Sequence, residues 1–335
     1  MTHEILHILK AYQVFKKQGV SCVLASLVDL NGSSYRKPGV RMLIAENGET
    51  VGAVSGGCVE KEIALQAQNV FRTGQALSMQ YDGRFRLGCE GILHLLIEPM
   101  EIETADIEKL VSAVRSRKPI EISTFYELNL GNNKEAGSFI DLDHEVINLK
   151  LGHIPKGSFV FQQRLDPIFE LFIFGAEHDS AILTNMASKL GWQVTVIVPA
   201  DEQKTIDYFD GAYVLKALLM DEVSSLDIGT HAAVLLMTHS ISKDVQYLTQ
   251  LTAFRPMYFG LLGPAHRRER LIEQLLEFRP ETEDAFIEGL SGPAGLDIGA
   301  QSASEIALSI LSEILAVIRN KDGRPLRLKN GAIHA

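Results

Sequence analysis

The stretch from Phe169 to Val198 constrains the fold of this chain most. Phe169-Glu-Leu-Phe-Ile-Phe174 is apolar but for one glutamate and reads as a strand covered on both faces. A glycine turn follows, Gly175-Ala-Glu-His-Asp-Ser180, then a helical stretch through Leu190, then a second apolar run over Val194–Val198. Strand, glycine turn, helix and strand within about 30 residues open a doubly wound unit with a parallel sheet. The pattern continues with short apolar runs at Ala212–Leu215, Ala232–Met237 and Met257–Leu262, a helix predicted over 243–252, and another opening at Gly263-Pro-Ala-His-Arg-Arg268. Ser302-Ala-Ser-Glu305 is a capping box ahead of a strongly apolar helix over 306–318.

The first half reads differently. Ile5, Ile8, Leu9, Tyr12 and Phe15 share one helical face, Gly19 stops that helix, and Val20–Val28 reads as a buried strand with Cys22 in the core. Arg41–Ala45 and Thr50–Val54 flank Asn47-Gly48 as a hairpin. Strands are predicted at 76–81 and 92–97 and a helix over 103–118, followed by short strands and polar turns to residue 165 in which Gly131–Gly137 reads as an exposed hairpin tip. The 335 residues suit two domains. The expected architecture is α/β: an N-terminal α+β domain (1–118), a β-rich extension (119–166), a Rossmann-like doubly wound parallel-sheet domain (167–320) and a basic tail (321–335).

Composition narrows the function. A net charge of −10 argues against a phosphate-backbone binder but not against a small anion in a local basic pocket. Three cysteines and no CxxC pair make a disulfide framework or structural zinc site unexpected and fit a reducing cytoplasm. The amphipathic start does not resemble a signal peptide, and no apolar run approaches the length of a membrane span.

Two places carry candidate chemistry. In Gly52-Ala-Val-Ser-Gly-Gly-Cys-Val-Glu60 a short strand runs through Gly56 and Gly57 to Cys58, where helical spacing begins with Ile63, Ala67 and Val70. A thiol at a helix start meets unpaired amides and the positive dipole end, which lower its pKa and favour an anion. Upstream, Ser33, Ser34, Tyr35, Arg36 and Lys37 run consecutively and Arg41 follows, a donor set suited to phosphate. Cys89, between Gly88 and Glu90, has no helix start beside it and reads as structural. At the carboxyl edge of the parallel sheet, where such folds bind ligands, the turns carry Gly175, Glu177, His178 and Asp179, then Thr238, His239 and Asp244, then His266, Arg267 and Arg268. No fixed spacing there supports a metal. The dinucleotide fingerprint G-x-G-x-x-G is broken by Glu177, and the strand ending at Val198 lacks the acid that would hold a ribose, so NAD is not an expected cofactor.

The blocks Gly32–Ile44, Gly52–Glu60, Phe174–Asp179, Met237–His239, Tyr258–Pro264 and Gly295–Ala300 together resemble the XdhC/CoxI family of xanthine dehydrogenase accessory proteins. The resemblance covers roughly residues 10–98 and 167–318. It implies a chaperone that binds molybdenum cofactor (molybdopterin), protects it during sulfuration by a cysteine desulfurase and inserts it into an apo xanthine dehydrogenase-type molybdoenzyme. It also implies Cys58 as the cofactor-associated cysteine. Ser33, Ser34, Arg36, Lys37, Arg41, Gly56 and Gly57 are expected around the cofactor in the first domain. Gly175, Glu177, His178, Asp179, Thr238, His239 and Arg267 are expected to contact it in the second. The expected protein is a cytoplasmic homodimer, a carrier rather than a catalyst of turnover, with no nucleic-acid partner and no membrane insertion. The rival reading is an NAD(P)-dependent oxidoreductase using the Rossmann-like domain.

Overall fold

The computed structural model describes residues 2–32, 34, 36–83, 91–143 and 145–329, with the side chain of Cys58 excepted. The chain divides into two compact units, one ending at Ile168 and the other beginning at Phe169. In the first unit, helix α1 (Thr2–Lys17) precedes β1 (Cys22–Asn31), β2 (Arg41–Ala45), β3 (Thr50–Gly52), α2 (Cys58–Thr73), β4 (Ala76–Asp82), β5 (Ile92–Pro99) and α3 (Thr104–Arg115). An antiparallel sheet of order β3-β2-β1-β5-β4-β7 results, its last strand being β7 (Gly131–Asn133). The predicted exposed tip at 131–137 is thus partly a strand, because Ala76 to Ser78 of β4 pair with Asn133 to Gly131.

Alternation along β1 explains the layering. Val23, Ala25 and Leu27 face the apolar side of α2 with Val59, Ile63, Ala67 and Val70, while Cys22 and Leu24 face α1 and α3. A second antiparallel sheet, β10-β6-β8-β9, follows. It comprises β6 (Ile120–Tyr126), β8 (Gly137–Leu142), β9 (Glu145–Asn148) and β10 (Phe159–Leu165). Ile122, Ile140, Ile147 and Leu165 join the same core as α1 and α3.

The second unit is one parallel sheet of order β13-β12-β11-β14-β15-β16. Its strands are β11 (Glu170–Phe174), β12 (Gln193–Pro199), β13 (Val214–Leu218), β14 (Ala232–Leu236), β15 (Tyr258–Leu261) and β16 (Leu290–Ser291). Numbered within the unit this is 3-2-1-4-5-6, the order of dinucleotide-binding folds, with the switch point between β11 and β14. β16 is only two residues long and carries no sequence signal of its own. Leu171 and Ile173 face α4 (His178–Lys189) and α8 (Ala303–Ile318). Phe172 and Phe174 face α5 (Ile241–Leu251), α6 (Ala265–Phe278) and α7 (Asp284–Glu288). Among the described residues no helix is long and apolar enough to cross a membrane.

Candidate functional site

The Gly-Gly-Cys corner forms as its spacing predicts: β3 ends at Gly52 and α2 begins at Cys58. Gly57 precedes the helix at φ +117°, a region that L side chains rarely adopt. A Cβ on Gly56 or Gly57 would meet nothing within 4 Å, so the space above the turn is open to an approaching group. The expectation of unpaired amides needs correction. Glu60, in the first turn, turns its carboxylate back to accept from Ser55 N at 2.6 Å, Gly57 N at 2.6 Å and Val54 N at 3.2 Å. It is the acidic half of a capping box whose other half a glycine cannot supply. An incoming anion therefore meets a turn whose amides are already in part neutralised.

Ser33 and Cys89 lie outside the described residues, as does the side chain of Cys58. In the cationic loop, the Ser34 hydroxyl accepts from Arg36 N at 3.4 Å, and Arg36 reaches Glu4 in the first turn of α1 at 3.3 Å. Lys37 is exposed. Arg41 is placed quite differently from its loop neighbours. It is 5% exposed, and its Nη1 donates to Gly39 O at 2.8 Å and to Gln163 Oε1 at 2.5 Å, so it ties the end of the loop to β10. Burial lowers its pKa to about 10, against the opposing effect of Glu98. Glu98 is 1% exposed, and burial pushes it up to about 7 although it accepts from both Ser138 N and Ser138 Oγ and feels Arg41. Sequence reasoning missed Gln163 and Glu98; neither sits in a motif, and it takes the strand order of the first sheet to put Glu98 two strands from Arg41 and the second sheet to supply Gln163.

In the second unit the predicted residues separate into two clusters at the sheet's carboxyl edge. His239, held at φ +56°, lies 3.2 Å from Asp179 through Nε2 and Oδ2. Non-glycine residues held in this region concentrate at functional sites. Beside it, Asp244 is 1% exposed and gathers Thr238 Oγ1 at 2.6 Å, Thr238 N at 3.3 Å and Arg267 Nη2 at 2.6 Å. That buried carboxylate is matched by a cation and a hydroxyl, as a buried charge requires. Tyr247 is pushed up to about 12 by burial and by the nearby Asp244 and Asp201. Asp179, His239, Asp244 and Arg267 line an open cavity of about 470 Å³ together with Leu262, Pro264, Pro293 and Ile306. Glu177 and His178 are exposed, and Glu177 caps α4 through its backbone position without a side-chain bond. Gly175, at φ +143°, brings the end of β11 against β14: a Cβ there would stand 2.6 Å from Met237 O. Arg268 bonds Leu290 O and Ile287 O, both at 3.0 Å, and holds β16.

A slightly larger cavity, about 490 Å³, lies in the first unit beside Tyr12, Lys16, Cys22, Phe71 and Glu101 and contains none of the predicted ligands. Cys22 there is pushed up to about 11 by burial, which keeps it a thiol.

Comparison with known proteins places this geometry. Residues 171–314 match the XdhC Rossmann domain, and residues 15–82 match the XdhC and CoxI family. A Bacillus subtilis protein described as a probable xanthine dehydrogenase subunit is 30% identical over 315 residues, which span 88% of this chain and 92% of that protein. This chain belongs to the XdhC and CoxI family. The molybdenum cofactor insertion chaperone PaoD of Escherichia coli is 24% identical over 304 residues, 89% of this chain and 84% of PaoD. A crystal structure described as a xanthine dehydrogenase from Bacillus halodurans superposes with a TM-score of 0.78 at 26% identity, covering 94% of this chain and 96% of that one. The mixed α/β architecture with a parallel Rossmann sheet is therefore shared within the family.

Proposed function

We propose that this chain carries molybdenum cofactor, shields it while a cysteine desulfurase sulfurates it, and inserts it into a xanthine dehydrogenase-type molybdoenzyme. The observation that carries this reading is the match along 89% of the chain to a molybdenum cofactor insertion chaperone. The open turn at Gly56 and Gly57 agrees with it. In this reading Cys58 provides the thiol that meets the cargo. Ser33, Ser34, Arg36 and Lys37 provide donors for its phosphate, and Arg41 acts from below by fixing the end of their loop. A second set of contacts is proposed at the crevice of the parallel sheet, from Gly175, Glu177, His178, Asp179, Thr238, His239 and Arg267. The protein works in the cytoplasm as a carrier rather than a catalyst of turnover, and NAD is not its cofactor.

Equilibrium dialysis against molybdopterin tests the reading. Cys58→Ser is expected to weaken retention at least about thirtyfold, the loss of one strong contact of about 2 kcal/mol. Cys22→Ser should leave retention unchanged while lowering stability by about 1 kcal/mol. Equal retention by Cys58→Ser and the unaltered chain removes the thiol from the site. No retention by the unaltered chain overturns the carrier reading.

A further inference from the structure

In a sheet of this strand order the first turn of the helix after the first strand receives a pyrophosphate on its amides and dipole. Here that turn carries Asp179, which lines the crevice, so a phosphate arriving there would meet a fixed negative charge. Asp244 adds nothing to that charge, because Thr238 and Arg267 match it. Asp179 is matched on one oxygen alone: His239 Nε2 stands 3.2 Å from Oδ2, and Oδ1 has no partner among the described residues. Arg267 is fixed at two points. Its stem lies over Gly263, where a Cβ would stand 2.5 Å from Cδ, and its Nη2 is held by Asp244 at 2.6 Å. The guanidinium has further N–H donors beyond that bond, and it lines the same cavity as Asp179. The crevice thus offers an acceptor pair and a cationic donor against an apolar wall, a set suited to a flat polar ring rather than to a phosphate.

We propose that this crevice holds the 2-amino-4-oxopyrimidine edge of a pterin ring; the proposal rests on the carrier reading above and names the part of the cargo that the second unit takes. That edge presents two adjacent N–H donors, on the 2-amino group and on N3, and one acceptor, the 4-oxo oxygen. Asp179 accepts both donors, through its unpartnered Oδ1 and the remaining lone pair of Oδ2. Arg267 donates to the oxo oxygen, while Leu262, Pro264, Pro293 and Ile306 cover the ring. At about 470 Å³ the cavity has the size of a small-molecule site, in which a few placed polar groups fix the orientation of a ligand held by apolar contact. A guanine presents the same edge, and the experiment separates the two sources.

Calorimetric titration of the full chain with free pterin (2-amino-4-oxopteridine), lumazine (2,4-dioxopteridine) and guanosine tests this, alongside equilibrium dialysis against molybdopterin. Lumazine keeps the ring and the 4-oxo oxygen but sets an oxygen where the 2-amino donor stood. Pterin should bind with a dissociation constant of about 10–100 µM. Lumazine should bind at least about tenfold more weakly, because its oxygen would face the acceptor of Asp179. Asp179→Asn should lower the pterin affinity at least about tenfold and bring the two ligands level. Arg267→Lys, which keeps a cation for Asp244, should weaken both alike and preserve their ratio. Equal affinity for pterin and lumazine in the unaltered chain, or no binding of pterin, overturns the proposal. So does a ratio indifferent to Asp179→Asn. Guanosine bound more tightly than pterin gives the edge to a guanine nucleotide and overturns the pterin assignment. Retention of molybdopterin without pterin selectivity removes this site and leaves the carrier reading standing; selectivity without retention of molybdopterin supports the site and overturns the carrier reading.

Discussion

The corner at Gly56–Cys58 and the corner at Gly175–Ser180 look alike in sequence: a strand, glycine, a glutamate close by, then a helix. In both a glycine occupies positive φ, +117° at Gly57 and +143° at Gly175. Their physical reasons differ. Above Gly57 there is open space, so the glycine serves the backbone path and leaves room for a ligand. Beside Gly175 stands the backbone of Met237, so the glycine serves the packing of two neighbouring strands. The glutamates differ too. Glu60 folds back onto the amides of its own turn, while Glu177 stands exposed at the cap of α4. A glycine-rich strand-to-helix turn thus states that the backbone is special, and only its neighbours say whether for binding or for packing.

The sharpest way to break this comparison is alanine at each glycine. Gly175→Ala adds a backbone clash to an unfavourable dihedral and should cost the second unit about 4 kcal/mol. Gly57→Ala meets only the dihedral penalty and should cost the first unit about 1–2 kcal/mol. Denaturant unfolding checks both, and equal losses would show that the open space above Gly57 is not real.

The next largest effect separates the units by pH. Glu98 has a folded pKa raised from 4.5 to about 7, so the folded first unit holds a proton that the unfolded chain releases. Its stabilising share is full below pH 4.5 and is lost as pH rises to about 7, roughly 3 kcal/mol over that window. Urea unfolding at pH 5 and pH 8 should show this slope in the transition of the first unit, and Glu98→Gln should flatten it. A slope unchanged by Glu98→Gln assigns the proton to another group.

A smaller effect concerns His239. Replacing it with glycine relieves the left-handed backbone by about 1 kcal/mol and removes a half-exposed contact with Asp179 worth about the same or less. Stability should therefore change by less than about 1 kcal/mol, while molybdopterin retention falls if the crevice touches the cargo. A more stable variant with full retention would leave His239 outside the site. The smallest effect belongs to Glu177. Titration with NADH should give no low-micromolar binding, and Glu177→Gly should improve binding by no more than about fivefold, because an exposed charge is well screened. Tight binding by the unaltered chain would restore the oxidoreductase reading.

Much of this was legible in the residues. The strands from Phe169 onward are short apolar runs punctuated by glycine, and a sheet covered on both faces produces that pattern whatever its partners. The order of motifs around Gly57 and Gly175 identified the family, because several short blocks in sequence carry more information than any one glycine pattern. β16 and β9 were not legible. Two to four residues carry no period, and such strands form only because a neighbouring edge offers its backbone groups.

Arg41 marks the boundary most clearly. By itself the sequence determined that a cation follows the serine-rich loop at the start of a strand, and the periodicity of the elements around it. Whether that cation faces a ligand or the protein was decided by the tertiary structure alone, where Gln163, 122 residues away, accepts a hydrogen bond from it and the buried Glu98 acts on it through its charge. The same holds for Asp244, which gathers Thr238 and Arg267 from different turns. Local sequence fixes backbone conformation because dihedral preference and hydrophobic period act over a few residues. The charge state and partner of a side chain depend on what packs over it, and distant segments supply that.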